Sequence, residues 1–439
     1  MNGRRRFARP AAALLVALLT ATAASGQDAP APTTIDDWRS LEPAQEMIDY
    51  KAKLKEGLFD DASRTFLVNT ALPQLALPKN RATIDRVRRR IREVLCGEAG
   101  GEGGEQKAAA MATQTVAGFM VAVARDGNAD PVVRLNAALL VGELNGPGRK
   151  PWTPAVAELV AVAGDANLPA AVRIAAAAGL ARHVDADAVA RSADVGPALV
   201  KLVGEPLGGV DPVAADWLTS RAFAMLARMG AAAPAGTAAA AARVLDDERR
   251  SIDVRIRAAL AVGRTVKAPG DTDVAAAVAA IRAVAAAALA ATQAEDDRRA
   301  TVTRLSGRPD QPPQQAPPQF GAEMAVDATP GGSQRYRRDA WRLATLADAL
   351  AAADGESGLA RVAGATAPAV TALAAAMRSG AKSLDAQPGT DSLAEARAAI
   401  ARAAEPPTAA PPDAAGPGRA APDAAPAEPP ADGIPFGDR

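Results

Sequence analysis

Few residues in this chain have the types and spacing to do chemistry. Its 439 residues include one histidine, His183, and one cysteine, Cys96. One histidine rules out a His-His metal site within the chain. One cysteine rules out an intrachain disulfide and a cysteine-based metal site. His183 lies in Leu180-Ala181-Arg182-His183-Val184, at the end of a helical pattern, where a histidine complements the helix C-terminus. No serine or cysteine motif stands near it to make a catalytic pair. Cys96 follows Arg86, Arg88, Arg89, Arg90 and Arg92. Such a setting can lower a thiol pKa, but a small apolar helix residue is the expectation. Gly97 to Gly104 has neither the spacing nor the lysine of a phosphate loop, and the chain has no Gly-x-Ser-x-Gly elbow and no His-Glu-x-x-His. Carboxylates are plentiful, which leaves a two-carboxylate hydrolase open by composition. With only 3% aromatic residues, few rings exist to line a sugar pocket. Trp152, Trp217 and Trp341 are expected to pack at junctions between helices. No catalytic residue, metal ligand or cofactor site is assigned from the sequence.

The charges that do recur with regular spacing are arginines. Val133-Arg134-Leu135-Asn136-Ala137-Ala138-Leu139-Leu140-Val141-Gly142 returns as Val254-Arg255-Ile256-Arg257-Ala258-Ala259-Leu260-Ala261-Val262-Gly263. A third copy, Val172-Arg173-Ile174-Ala175-Ala176-Ala177-Ala178-Gly179-Leu180, stands between them. The first two Val-Arg pairs are 39 residues apart, and the next is 82 further on, room for two units. A period near 40 made of two helices marks a helical repeat. The pattern gives helix pairs at 106–124 with 131–144, 154–163 with 169–184, 195–203 with 213–229, and 237–245 with 252–265. Pro131 and Pro169 sit where a first helical turn tolerates proline.

These units resemble HEAT repeats, in which a turn aspartate precedes an Asp-Pro-x-Val-Arg second helix. Asp130-Pro131 with Arg134, Asp165 with Arg173, and Asp246 or Asp247 with Arg255 carry the likeness. The resemblance implies an all-α, right-handed α-α superhelix over 106–295. It also implies a ladder in which Arg134, Arg173 and Arg255 bridge turn carboxylates of Asp126 or Asp130, Asp165, and Asp246 or Asp247 along the stack.

The remaining segments follow from composition. Arg4, Arg5, Arg6 and Arg9 precede an apolar run, Ala11 to Ala24, and small residues before Gln27. This reads as a signal peptide over 1–26, with export to the periplasm or beyond and no stable membrane span after cleavage. Residues 35–97 form an N-terminal helical region. Its helix from Ile84 to Leu95 has a basic face, read as a solvated surface because no aromatic interleaves with the arginines. Residues 296–334 are Pro- and Gln-rich and are expected to be a disordered insertion. Helices at 335–404 complete the stack, and 405–439 is an Ala/Pro-rich disordered tail. Within that tail Asp432-Gly433-Ile434-Pro435-Phe436 leaves open a short apolar docking peptide on a flexible tether, against the default reading of a chance sequence.

Net charge is zero, from 50 basic and 50 acidic residues, which favours neither nucleic acid nor an anionic membrane surface. The expected function is a non-catalytic, exported scaffold with a protein or peptide partner and no cofactor. HEAT-like repeats also occur in phycobilin lyases, so the alternative is an enzyme or enzyme subunit acting on a protein.

Overall fold

The computed structural model describes residues 38–41, 44–96, 103–204, 210–305, 334–352 and 357–403. The expected signal peptide, the greater part of the expected insertion and the tail lie outside the described residues. Those described are helical. They contain no strand, only an isolated bridge between Asn145 and Pro151. The chain divides into two compact units, Met1–Asp273 and Val274–Arg439.

The first unit begins with a short helix, Trp38–Leu41, then α1 (Gln45–Lys55) and α2 (Asp61–Phe66). The Asp60 side chain accepts the Ser63 amide and so caps α2. Two 3₁₀ segments carrying Pro73 and Pro78 lead to α3 (Ile84–Arg90), which runs into a π-helical turn, Ile91–Leu95. Thr83 does not cap α3 with its side chain; its hydroxyl donates to the Asn80 carbonyl.

Four helix pairs follow. They are α4 (Gly104–Arg125) with α5 (Pro131–Glu143), and α6 (Ala155–Gly164) with α7 (Ala170–Ala186). Next come α8 (Gly196–Gly204) with α9 (Pro212–Met229), and α10 (Thr237–Asp246) with α11 (Ile252–Thr265). The two helices of each pair pack together, and each second helix packs on the next second helix. Their starts are fixed by local chemistry. Pro131 and Pro212 occupy the first turn, where the missing N–H costs nothing, and Asp130 and Asp211 accept the amides of Val132 and Val213. The core mixes leucine and valine with many alanines, and glycine lets backbones approach where helices cross. A Cβ on Gly142 of α5 would lie 2.6 Å from the Gly179 Cα of α7. That contact admits only glycine.

The second unit holds α12 (Val274–Leu305), α13 (Gln334–Leu350), α14 (Ala367–Ala386) and α15 (Thr390–Ala403). They pack in cyclic order, with α15 returning to α12. Three expectations change here. The boundary falls between Asp273 and Val274, so α12 belongs with the C-terminal helices and not with the repeated pairs. Residues 296–305, expected to be disordered, instead continue α12. Side-chain pairs explain the extension: Glu295 meets Arg299 at 3.0 Å, and Asp296 pairs with Arg335 of α13 at 2.5 Å. The apolar pattern from Leu359 to Met377 predicts one helix, but α14 starts only at Ala367. Positive φ at Gly358 and Gly364 breaks the backbone first, and Pro368 then sits in the first turn of α14.

Candidate functional site

The three motif arginines are buried: Arg134 is 8% exposed, Arg173 2% and Arg255 7%. Each donates its Nε–H to a backbone carbonyl ten residues earlier, at the end of the first helix of its own pair. Arg134 reaches Ala124 at 3.1 Å, Arg173 reaches Ala163 at 3.0 Å, and Arg255 reaches Leu245 at 2.8 Å. The expected bridge to turn carboxylates is therefore replaced by a bridge to carbonyls that a helix C-terminus leaves unsatisfied. The turn acids serve amides instead. Asp130 caps α5, Asp165 accepts the Asn167 amide, and Asp247 accepts the Arg249 amide. Asp246 is exposed in the last turn of α10. Asp165 still favours the Arg173 charge at longer range, against the larger effect of burial, which lowers the Arg173 pKa. The Arg173 Nη1 is buried with no hydrogen-bond partner among the described residues.

Neighbouring pairs are joined by other basic side chains, which the repeated motif did not single out. Arg88 of α3 donates to Asn136 at 2.5 Å and to Glu143 at 3.3 Å, and Arg92 reaches the same Glu143 at 3.4 Å. The basic face of that helix is thus partly turned onto α5. Arg182 of α7 donates to the Gly142 and Leu144 carbonyls at 3.2 and 3.0 Å, and to Asn145. Arg228 meets Asp185 at 3.0 Å. At the α9–α11 junction, Arg250 donates to Asp216 at 2.7 Å and to Thr219 at 2.9 Å, and Asp216 also accepts the Ser251 amide. Here the helix supplies the acid and the turn supplies the arginine, the reverse of the expected ladder.

Burial sets the protonation state of both Cys96 and His183. Burial pushes the Cys96 thiol up to about 12, outweighing a Thr113 hydrogen bond and the Arg92 charge. It stays a thiol at neutral pH. It lines a small cleft with Gln106, Thr113, Asn145 and Trp152. His183 is 3% exposed. Burial first, then Arg182 and Arg191, lower its pKa from 6.5 to about 4. It is neutral at pH 7, so it does not act as the helix-end cation expected of it. Among the described residues, no cluster of three or more His, Cys, Asp or Glu is placed to hold a metal ion.

The exposed side of the second helices offers a different kind of site. On α9, Val213 is 77% exposed, and Trp217 and Arg221 follow at intervals of four on the same face. The Arg221 guanidinium lies over the Trp217 ring, 4.9 Å from its centroid. Arg257 of α11 is close enough that the Arg221 charge, after burial, helps depress its pKa. Of the three tryptophans expected in packing positions, Trp152 is buried, Trp217 is half-buried and Trp341 is 39% exposed.

In the second unit one charged pair is buried between the helices. Asp339 and Arg342 of α13 form a pair at 2.9 Å with the acid wholly buried, and burial raises the Asp339 pKa despite Thr292 and Arg342. Compared with known protein families, curated proteins and solved structures, the chain matches none.

Proposed function

We propose that the first unit is a HEAT-like α-solenoid and that the protein is a non-catalytic, exported scaffold. Its partner is a protein or peptide held on the exposed face of the second helices. The observation that carries this reading is the Val213-Trp217-Arg221 stripe on α9, with the guanidinium stacked on the indole. Tryptophan and arginine are enriched at the energetic centres of protein interfaces, where the indole buries a large area and the guanidinium supplies several donors. The order of the helix pairs, each second helix on the next, supports a stack whose exposed surface is continuous. The reading of the Arg-rich, apolar start as an export signal supports an address outside the cytoplasm. Two described helices, Gly104–Arg125 and Val274–Thr301, are long and apolar enough to cross a membrane by length and composition. In the first, half of the apolar window is buried, as in a core helix.

The test is capture of the protein from its native envelope with crosslinked neighbours, beside a Trp217→Ala variant. A discrete partner is expected, with capture weakened roughly 30-fold in the variant, the effect of losing about 2 kcal/mol at a central tryptophan. A bound chromophore, or turnover by the purified protein, would overturn the non-catalytic reading. Mass spectrometry of the same sample should find an N-terminus between Ala24 and Asp28, whereas intact Met1 would contradict export.

A further inference from the structure

Helix α12 has an exposed apolar face that needs a cover. Its window within Val274–Thr301 is apolar enough for a membrane span, yet only 33% of it is buried. Beside this face lies an open groove of about 620 Å³ between α12 and α15. Ala283, Ala286 and Ala290 of α12 and Ile400 of α15 line it, together with Arg282 and Arg397. Both arginines are exposed. The groove therefore combines an apolar floor with positive charge.

We propose that the segment Asp432–Phe436 of this same chain docks in the groove between α12 and α15. Three observations lead there. The first is charge. Residues 404–439 carry six acids (Glu405, Asp413, Asp423, Glu428, Asp432 and Asp438) against Arg419 and Arg439. They complement Arg282 and Arg397. The second is apolar content: Ile434 and Phe436 are the only large apolar side chains in 404–439, and Asp432 stands beside them. The third is tethering. Ile400 lines the groove and α15 ends at Ala403. The 30 residues from 404 to 433 can extend on the order of 100 Å, several times the length of α15. A tethered segment is present at an effective concentration on the order of millimolar, so modest contacts suffice to hold it. Two other covers fit less well. A second copy using the same face would set Arg282 and Arg397 of both copies into one self-complementary patch of like charge. A bilayer would have to accept Arg282 in the middle of the apolar helix. The proposal concerns the second unit alone and stands apart from the docking face of the first.

The test is hydrogen-exchange mass spectrometry on the full chain, with Ile434→Ser and Phe436→Ser introduced together. These substitutions lie in the tail and leave both helical units untouched. Exchange in α12 and α15 should rise several-fold, with the first unit unchanged. Arg282→Glu with Arg397→Glu should produce the same local rise. A peptide of residues 424–439 added at millimolar concentration to the serine variant should restore protection. Unaltered exchange in the serine variant overturns the proposal. So does a dimer that survives both serine substitutions in sedimentation, which assigns the groove to a second copy. Protection of α12 that requires neutral phospholipid vesicles overturns it in favour of a membrane.

Discussion

Arg173 and Arg182 sit nine residues apart on one helix and do different work. Arg173 ties α7 to the end of α6 within its own pair, and Arg182 ties α7 to the end of α5 in the pair before. Both substitutions to methionine should therefore destabilise the fold. Each strands carbonyls at a helix end, so the expected loss is about 1–3 kcal/mol for each. Arg243→Ala, at an exposed position of α10, should stay within about 0.5 kcal/mol of the parent. Denaturant melts of the three variants check this, and a silent Arg182→Met would remove the inter-pair bridge. His183 supplies a second prediction. Its folded pKa, about 4, is depressed from 6.5 by burial. The unfolded chain therefore binds a proton at higher pH than the native one. Stability contributed by the neutral imidazole is full above pH 6.5, declines as pH falls, and is spent near pH 4. His183→Leu should flatten the fall of Tm between pH 7 and pH 5, and an unchanged slope would assign that fall to other groups. The motif arginine was legible in the sequence from its repetition. Its partner was not, because a backbone carbonyl leaves no mark on residue identity. Arg182 lies outside the shared part of the motif, and nothing in the sequence distinguishes a capping arginine there from a solvated one.

Helix boundaries were the most readable feature at the scale of elements. Proline in the first turn and aspartate before it fixed the starts of α5 and α9, and α11 occupies the expected 252–265. The end of α12 was missed because composition averages over a segment. Asp296 to Leu305 is as polar as the Pro-rich stretch after it, yet Asp296 is fixed by Arg335 and by the Tyr336 hydroxyl at 2.6 Å. Those contacts come from α13, 40 residues on, which no local pattern reports. The close approach of α5 and α7 gives an element-scale prediction. Gly179→Ala would place a Cβ 2.7 Å from the Gly142 Cα. The helices must move apart, at a cost of roughly 1–3 kcal/mol from overpacking. Gly164→Ala, where an added Cβ meets nothing within 4 Å, is the matched control. Equal melting temperatures for the two variants would mean that the glycine contact carries no load.

For the molecule as a whole, the all-helical class was legible from alanine content and the 3.6-residue period, and the succession of helix pairs from the positions of their apolar segments. The division after Asp273 was not. The helix that follows continues the alanine pattern of the repeats, and only its packing against α13 and α15 sets it apart. The face proposed for docking was not legible. Trp217 is expected to pack between helices, yet it is half-buried on α9 with the Arg221 guanidinium over its ring. The account makes the buried arginines structural and the α9 stripe functional, and one paired measurement separates them. Partner affinity and Tm are determined for Trp217→Ala and Arg173→Met in the full chain, with affinity measured below both melting transitions. Trp217→Ala should lose affinity roughly 30-fold with Tm nearly unchanged, and Arg173→Met should lose Tm with affinity unchanged. The reverse pattern, a stable Arg173→Met that no longer binds beside a Trp217→Ala that binds normally, would contradict the account.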